Sequence, residues 1–329
     1  AVGQGTAMEK YVFGVDLGGT TIKFGLLRSD LTLLEQWSIP TNTNDKGADL
    51  LKDITDELRK LARTLPPSSV LGVGVGVPGA VLDNGFVKPC VNLNGWGGFN
   101  AADQLACMCG WPCQMLNDAN AAALGEICVG GGRGKQNAVF VTLGTGVGGG
   151  ILVGGKLLTG VHGSGGEIGH IKVTDDPTRR CGCGEIGCLE QYASATGIVQ
   201  TARELLARQM GGSLMHRYDP LTCKDVFTCA AMEDSLALEA VRSSIQMLGK
   251  ALAAVSCVCD PEIFVLGGGV SQAGEYLLRE TQRSFQRYAF PSAKETQFAL
   301  AELGNDAGIY GAAYLVLQHQ HLKEGWMIR

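Results

Sequence analysis

Three cysteines and a histidine are spaced in this sequence like the ligands of a zinc ion. Cys181 and Cys183 form a CxC pair, Cys188 follows five residues later, and the glycines between them let the backbone turn the sulfurs inward. His170 lies eleven residues upstream of Cys181. Three thiolates and one imidazole nitrogen complete a closed tetrahedral shell, so the segment predicts one structural Zn²⁺.

Two carboxylates belong to the same motif. Glu167 precedes the histidine in GEIGH, and Glu190 follows the last cysteine in CLE. A bound metal would fix both in one polar wall suited to sugar hydroxyls. Disulfides and free thiols are the competing interpretations. A chain of this length buries enough core to need no disulfide staples, and no secretory signal precedes Met8, so zinc in a reducing cytoplasm is favoured.

The composition indicates a cytoplasmic α/β protein of two domains. The chain has 329 residues and a formal net charge of −5, without the basic stripe that binds a phosphate backbone, which argues against a nucleic-acid partner. No apolar run approaches the ~20 residues of a membrane span. Residues Ala1 to Ala7 are interpreted as an expression remnant ahead of Met8.

A glycine-rich turn between two strands occurs twice, as DLGGTT at residues 16–21 and as TLGTGV at residues 142–147. Such turns leave backbone N–H groups free to bind phosphate oxygens, and Asp16 is placed to face a metal on those phosphates. A third strand ends in LGGGVS at residues 266–271, which suits a flat nucleoside. The repeated turn predicts two similar lobes that share one nucleotide, and we expect these hairpins to lie away from the zinc motif.

A candidate catalytic pair stands where a short strand runs into an alanine-rich helix. Asn117 or Asp118 falls at the N-cap, and capping alone would explain one polar residue there. Two adjacent polar residues at the carboxyl end of a strand favour function, because a carboxylate there can accept a proton from an attacking sugar hydroxyl. Asn94, beside Trp96, offers an amide for sugar hydroxyls, although a simple turn former is an equal interpretation.

The motifs together resemble the ROK family of sugar kinases and repressors, within the hexokinase–actin–Hsp70 superfamily, and in particular its zinc-containing bacterial glucokinases. The resemblance extends from residue 11 to about residue 317. It rests on DLGGTTIK (16–23), VGVPGAV (75–81), NDANAAALGE (117–126), TLGTGVGGGIL (142–152), GEIGH (166–170), CGCGEIGCLE (181–190) and LGGGVS (266–271).

This resemblance implies a fold of two ribonuclease-H-like, actin-like ATPase lobes, each a mixed β-sheet flanked by helices, with the active site in the interlobe cleft. The small first lobe would comprise residues 8–116 and about 306–329, and the large second lobe residues 117–305 with the zinc motif. The resemblance also implies the substrates ATP and a hexose, the cofactors Mg²⁺ and structural Zn²⁺, and a homodimer.

The family's roles transfer to the matching positions of this chain. Asp118 would be the general base, and His170 would bind zinc through one ring nitrogen and sugar through the other. The sugar-binding residues would be Gly79, Ala80, Asn94, Asn117, Asp118, Glu167, His170 and Glu190. The residues that hold ATP and Mg²⁺ would be Asp16, Gly18, Gly19, Thr20, Thr21, Lys23, Gly144, Thr145, Gly146, Gly267, Gly268 and Gly269.

The implied activity is ATP-dependent phosphorylation of a hexose at its 6-hydroxyl, with glucose as the preferred substrate. Kinases of N-acetylmannosamine or N-acetylglucosamine share this chemistry, and polyphosphate is an alternative donor. A non-catalytic, sugar-responsive regulator is the competing class. The polar sugar wall argues against it, and the first strand is expected to begin too soon after Met8 to leave room for a helix-turn-helix.

Overall fold

The computed structural model describes residues 8–209 and 211–324, so the expected expression remnant at residues 1–7 lies outside the described residues. The chain forms two compact units. The first contains the described residues up to 130 together with 159–165 and 305–324, and the second contains 131–158 and 166–304. The described helices include none that is long and apolar enough to cross a membrane.

The first unit is built on a five-stranded sheet in the order β3-β2-β1-β4-β7. Strands β3, β2 and β1 pair antiparallel, whereas β1, β4 and β7 run parallel. Its strands are β1 (Tyr11–Leu17), β2 (Thr21–Arg28), β3 (Leu33–Pro40), β4 (Val70–Val77), β5 (Phe86–Val87), β6 (Phe99–Asn100) and β7 (Cys113–Asn117). Its helices are α1 (Leu50–Ala62), α2 (Ala101–Cys109), α3 (Asp118–Val129) and, late in the chain, α9 (Ala307–Glu324).

Helix α9 packs closely on α3 and on strands β1 and β4, because glycines line the contact. A methyl group added at Gly311 would lie 1.7 Å from the carbonyl oxygen of Ala121, and one at Gly74 would lie 1.8 Å from that of Ala312. The buried side chains of α9 share a core with Val12 and Leu27. Helix α3 therefore belongs to the first unit, which extends beyond the lobe boundary at residue 116 expected from the sequence.

The second unit repeats this strand plan. Its sheet has the order β10-β9-β8-β11-β12, with an antiparallel half (β10, β9, β8) and a parallel half (β8, β11, β12). The strands are β8 (Ala138–Leu143), β9 (Val147–Val153), β10 (Lys156–Leu157), β11 (Ile263–Gly267) and β12 (Gln297–Leu300). The helices are α4 (Glu190–Ala193), α5 (Ala195–Arg208), α6 (Cys223–Ala231), α7 (Ser235–Cys259) and α8 (Glu275–Tyr288).

The two predicted glycine turns occupy the same place in the two sheets. Residues 18–20 connect β1 to β2, and residues 144–146 connect β8 to β9. In each case the hairpin adjoins the parallel strands at the middle of its sheet. The duplication inferred from the sequence is thus a duplication of strand order and direction.

Candidate active site and metal cluster

The four predicted metal ligands lie together in the second unit. Their ligand atoms are all within 4.8 Å of one another. The Cys183 and Cys188 sulfurs are 3.7 Å apart, and the Cys181 sulfur is 3.6 Å from Nδ1 of His170. Sulfurs bound to one tetrahedral zinc at ~2.3 Å are separated by about 3.8 Å. The donor set and its spacing therefore fit Zn²⁺.

Short backbone pairings fold the cluster. The segment 171–173 pairs with 187–189 through hydrogen bonds from Val173 N to Gly187 O (2.9 Å) and from Leu189 N to Ile171 O (2.9 Å). A turn closes the loop where Cys181 N donates to Glu185 O at 2.8 Å. All twelve cysteines of the chain lie in the described part and are free thiols, so the disulfide interpretation finds no support.

The protonation of the thiols reflects their surroundings. A backbone N–H at Glu185 faces the sulfur of Cys183 and lowers the pKa of this thiol to about 7. Burial raises the pKa of Cys181 to about 11. A divalent ion would deprotonate both thiols outright, because thiolate is the form that binds metal.

Arg179 is a structural residue that sequence reasoning missed, because beside Arg180 it is typical of an exposed basic pair. Its side chain is only 3% exposed and stacks over the Tyr192 ring at 4.6 Å. The guanidinium pairs with Glu204 at 2.8 Å and donates to the Gln191 carbonyl at 2.7 Å. It thereby attaches the metal loop, residues 171–189, to α4 and α5. The structural role of Arg179 is evident from its burial and its paired charge, and burial cannot be recognised in a single sequence.

Glu190 connects the metal cluster to the glycine turn of β8 and β9. Its Oε2 accepts a hydrogen bond from Val147 N at 3.0 Å, and its Oε1 lies 3.9 Å from the Cys181 sulfur. A methyl group added at Gly146 would lie 2.4 Å from the same Oε2. The expectation that both hairpins lie away from the zinc motif is therefore wrong for the hairpin of the second unit, because the carboxylate spans the gap.

Helix α5 supports the same turn. Ala195 N donates to Gly144 O at 2.8 Å, and the Thr196 hydroxyl donates to Thr145 O at 3.0 Å. Gly268, which follows β11, approaches the backbone of Leu143 closely. A cavity of about 470 Å³ adjoins this assembly. It is lined by Ala195, Thr196, Val199, Gln200, Arg203 and Cys223.

In the first unit, the predicted base and its neighbour begin helix α3. Asn117 is the N-cap, and its Oδ1 accepts from the backbone N–H groups of Ala119 and Asn120. Its amide donates to Gly79 O at 3.0 Å. Asn117 therefore fixes both the start of helix α3 and the turn after β4. Asp118 is exposed, and its Oδ1 accepts from Ala119 N at 2.8 Å.

The remaining predicted sugar residues of this unit lie in neighbouring turns. A methyl group at Gly79 would lie 2.4 Å from the Cys90 sulfur, so the Cys90 side chain would have to move to accommodate any larger residue there. Burial and the charge of Asp118 raise the pKa of Cys90 to about 11. Asn94 is exposed, and its backbone is left-handed at φ 56°. Ala80 is half-buried.

Asp16 lies at the end of β1, where its register partners are Gly76 on β4 and Lys23 on β2. Parallel pairing of β4 with β7 then places Val77 beside Asn117, so one edge of the sheet carries Asp16, the turn after β4 and the catalytic candidate. Burial raises the pKa of Asp16, and the charge of Lys23 partly offsets this rise. A divalent cation would remove the cost of the buried charge.

The backbone turn that follows Asp16 is compact. Gly18 N donates to Thr21 O at 3.0 Å, and the Thr41 hydroxyl donates to Gly18 O at 2.7 Å. A methyl group at Gly19 would lie 3.0 Å from the Asn92 carbonyl oxygen. Thr20 is exposed at the tip of this hairpin, where a phosphate would have access to it.

A comparison with family models matches residues 12–319 to the ROK family. This chain belongs to the ROK family. Its predicted family and its fold class of two mixed α/β units are thereby confirmed. It is 42% identical to a glucokinase of Halalkalibacterium halodurans over 96% of this chain and 98% of that protein.

Two solved structures of family members share the fold. A ROK hexokinase from Thermus thermophilus superposes with a TM-score of 0.79 at 29% identity, covering 96% of this chain and 100% of that one. A ROK glucokinase from Streptomyces griseus, solved in complex with glucose and AMPPNP, gives a TM-score of 0.69 at 33% identity, with coverage of 94% and 99%.

Proposed function

We propose that this chain transfers the γ-phosphoryl group of ATP to the 6-hydroxyl of glucose. The observation that carries the proposal is the placement of Glu190, whose carboxylate contacts both the metal cluster and the turn 144–146. The residues proposed to form a polar wall for sugar and a backbone turn for phosphate therefore lie in one unit and share a contact. The 42% identity to a glucokinase supports glucose as the acceptor.

The chemistry is assigned to Asp118. As the sugar oxygen bonds to phosphorus and the bond from phosphorus to the ADP oxygen breaks, the carboxylate accepts the hydroxyl proton. Asn117 fixes the start of α3 and so the place of this carboxylate. The amide of Asn94 and the backbone at Gly79 and Ala80 complete the sugar contacts proposed for the first unit.

The second unit is proposed to supply further sugar ligands from Glu167, His170 and Glu190. Nδ1 of His170 faces the sulfur of Cys181, and Nε2 lies 3.9 Å from Glu167 Oε2. Nε2 is therefore the ring nitrogen proposed to bind sugar, together with the Glu167 carboxylate. Zn²⁺ bound by the four ligands would be structural, since three thiolates and one imidazole leave no open position for a reacting group. Its contribution is to fix the wall.

ATP is proposed to bind along the glycine turns. The N–H groups of Gly18 and Gly144 donate within the turns, so other backbone N–H groups of the two turns would hold phosphate oxygens. Gly267, Gly268 and Gly269 would allow close approach of the nucleoside. The adjoining cavity of about 470 Å³ on α5 and α6 is large enough for an adenine ring. Mg²⁺ would neutralise phosphate charge, with Asp16 as the carboxylate facing it and Lys23 as a second cation.

A coupled ADP-release assay over a panel of hexoses tests this function. We expect the highest kcat/KM with glucose and ATP. A preference for N-acetylmannosamine or N-acetylglucosamine would replace glucose as the substrate, and turnover with polyphosphate would replace ATP as the donor. Absence of turnover with every sugar and donor would contradict the kinase assignment. Size-exclusion chromatography with light scattering tests the proposed homodimer.

Asp118→Asn tests the base. We expect turnover to fall by roughly 10²–10⁴, the usual contribution of a general base, while sugar affinity is retained, because the amide cannot accept the proton. Asp103→Asn is the matched control, since Asp103 is an exposed carboxylate in the first turn of α2 in the same unit. Near-normal turnover of the Asp118 variant would remove it from the catalytic role.

A further inference from the structure

Lys172 lies next to the metal cluster in a position that the proposed reaction does not use. Its ammonium Nζ is 3.2 Å from the sulfur of Cys188, within hydrogen-bonding distance of a thiolate. Lys172 is exposed and follows His170 by two positions in the sequence. Nothing in the sequence pattern marks it, because lysine is not a zinc ligand in the motif.

Backbone pairing fixes this contact. Lys172 and Cys188 are antiparallel partners, and the flanking hydrogen bonds run from Val173 N to Gly187 O and from Leu189 N to Ile171 O. This pattern makes the two residues a non-hydrogen-bonded pair, the arrangement in which facing Cα atoms are only ~4.5 Å apart and side chains are closest. The ammonium is therefore held beside the sulfur by the fold of the metal loop itself.

Charge explains what the ammonium can do there. Three thiolates and a neutral imidazole around a divalent zinc carry a net charge of −1, whereas the metal-free thiols are neutral when protonated. The positive charge of Lys172 favours the negatively charged, metal-bound form over the protonated, metal-free form. An N–H···S hydrogen bond also withdraws electron density from the sulfur and makes it a weaker nucleophile.

We propose that Lys172 is a positioning and charge-balancing residue of the zinc site, which strengthens metal binding and shields the Cys188 thiolate from electrophiles. The inference rests on zinc occupancy of the cluster, and not on which sugar is phosphorylated. Partners of metal ligands commonly change metal affinity by ~10- to 100-fold when they are removed. We expect zinc affinity to decrease by an amount within that range when the ammonium is removed.

The test compares Lys172→Met with Lys172→Arg and with Lys156→Met. Lys156 is an exposed lysine on β10 of the same unit, so its loss controls for surface charge. Zinc affinity is measured by competition with a chromophoric chelator, and alkylation of Cys188 by iodoacetamide is followed by mass spectrometry. We expect Lys172→Met to bind zinc roughly 10-fold or more weakly and to alkylate correspondingly faster. The other two variants should stay near the parent protein.

Cobalt substitution gives a readout that a purely structural role would not change. Removing the N–H···S bond raises the energy of the sulfur lone pair, so the thiolate-to-cobalt charge-transfer band of Lys172→Met should move to longer wavelength. Lys172→Arg should restore the band. Equal zinc affinity, alkylation rate and absorption band in Lys172→Met and the parent protein would overturn the proposal. A parent protein that binds no zinc would overturn it separately from the kinase assignment.

Discussion

The contact between Glu190 and the glycine turn can be broken from the turn side by Gly146→Ala. The new methyl group would lie 2.4 Å from Glu190 Oε2 and 3.1 Å from its carboxyl carbon. Gly146 is not in the positive-φ region, so the backbone itself tolerates alanine. The carboxylate must then move, and the hydrogen bond that it accepts from Val147 N is lost.

The size of the effect follows from that hydrogen bond. A bond to a charged group contributes about 1.5–3 kcal/mol, and each ~1.4 kcal/mol is a factor of ten. The amide of Val147 should therefore exchange its hydrogen roughly 10- to 150-fold faster in Gly146→Ala, because local opening of the turn costs less free energy. Hydrogen exchange read by mass spectrometry, without nucleotide or sugar, measures this directly.

Two further variants make the test specific. Gly144→Ala is the matched control in the same turn, since its methyl group would meet nothing within 4 Å, and it should leave exchange at Val147 unchanged. In a Glu190→Ala background the obstacle is gone, so adding Gly146→Ala should accelerate exchange no further. The reasoning is refuted if Gly146→Ala accelerates exchange equally in both backgrounds, or in neither.

Three other predictions follow from contacts in the two units. Gly311→Ala should lower Tm, even though Gly to Ala in a helix ordinarily stabilises by ~0.4–1 kcal/mol, because the methyl group would lie 1.7 Å from a backbone oxygen on α3. Gly269→Ala, with open space around it, is the control in differential scanning fluorimetry. Asp16→Asn should raise Tm at neutral pH and lower turnover with MgATP. Burial raises the pKa of Asp16 in the folded state above its value in the unfolded state. As the pH rises above the unfolded pKa, ionisation therefore lowers the free energy of unfolding, and the uncharged amide avoids this loss. An Asp16→Asn variant with unchanged Tm and turnover would contradict both roles. Cys183→Ser should reduce zinc from about one ion per chain to almost none in elemental analysis and should weaken sugar binding. Because Glu190 spans the two features, it should also weaken binding of an ATP analogue, and unaltered nucleotide affinity would argue against that link.

Local patterns were sufficient to predict the two glycine turns and the clustering of the four candidate metal ligands. The spacing of Cys181, Cys183 and Cys188 indicates convergence because glycine turns act over a few residues, and the structure brings these thiols to His170. The N-cap at Asn117 was likewise predictable, since capping depends on residues within one helical turn.

Features that depend on tertiary packing were not predictable in this way. Arg179 reads as surface charge in the sequence, yet its side chain is almost fully enclosed by α4 and α5. Lys172 meets Cys188 through a pairing of irregular segments that have no alternating pattern to reveal them. The reach of Glu190 to Val147 depends on how α4 packs against α5 and α7, which no local rule specifies.

The late position of helix α9 in the chain has a consequence for biosynthesis. Strands β1 and β4 and helix α3 are made early, but the surface that they share is completed only when residues 307–324 have left the ribosome. Almost all of the second unit, residues 131–158 and 166–304, is synthesised in between and can close its own core first. Until then the α9 side chains that cover Val12 and Leu27 in the folded unit are missing, so this apolar surface of the nascent first unit stays uncovered through most of translation.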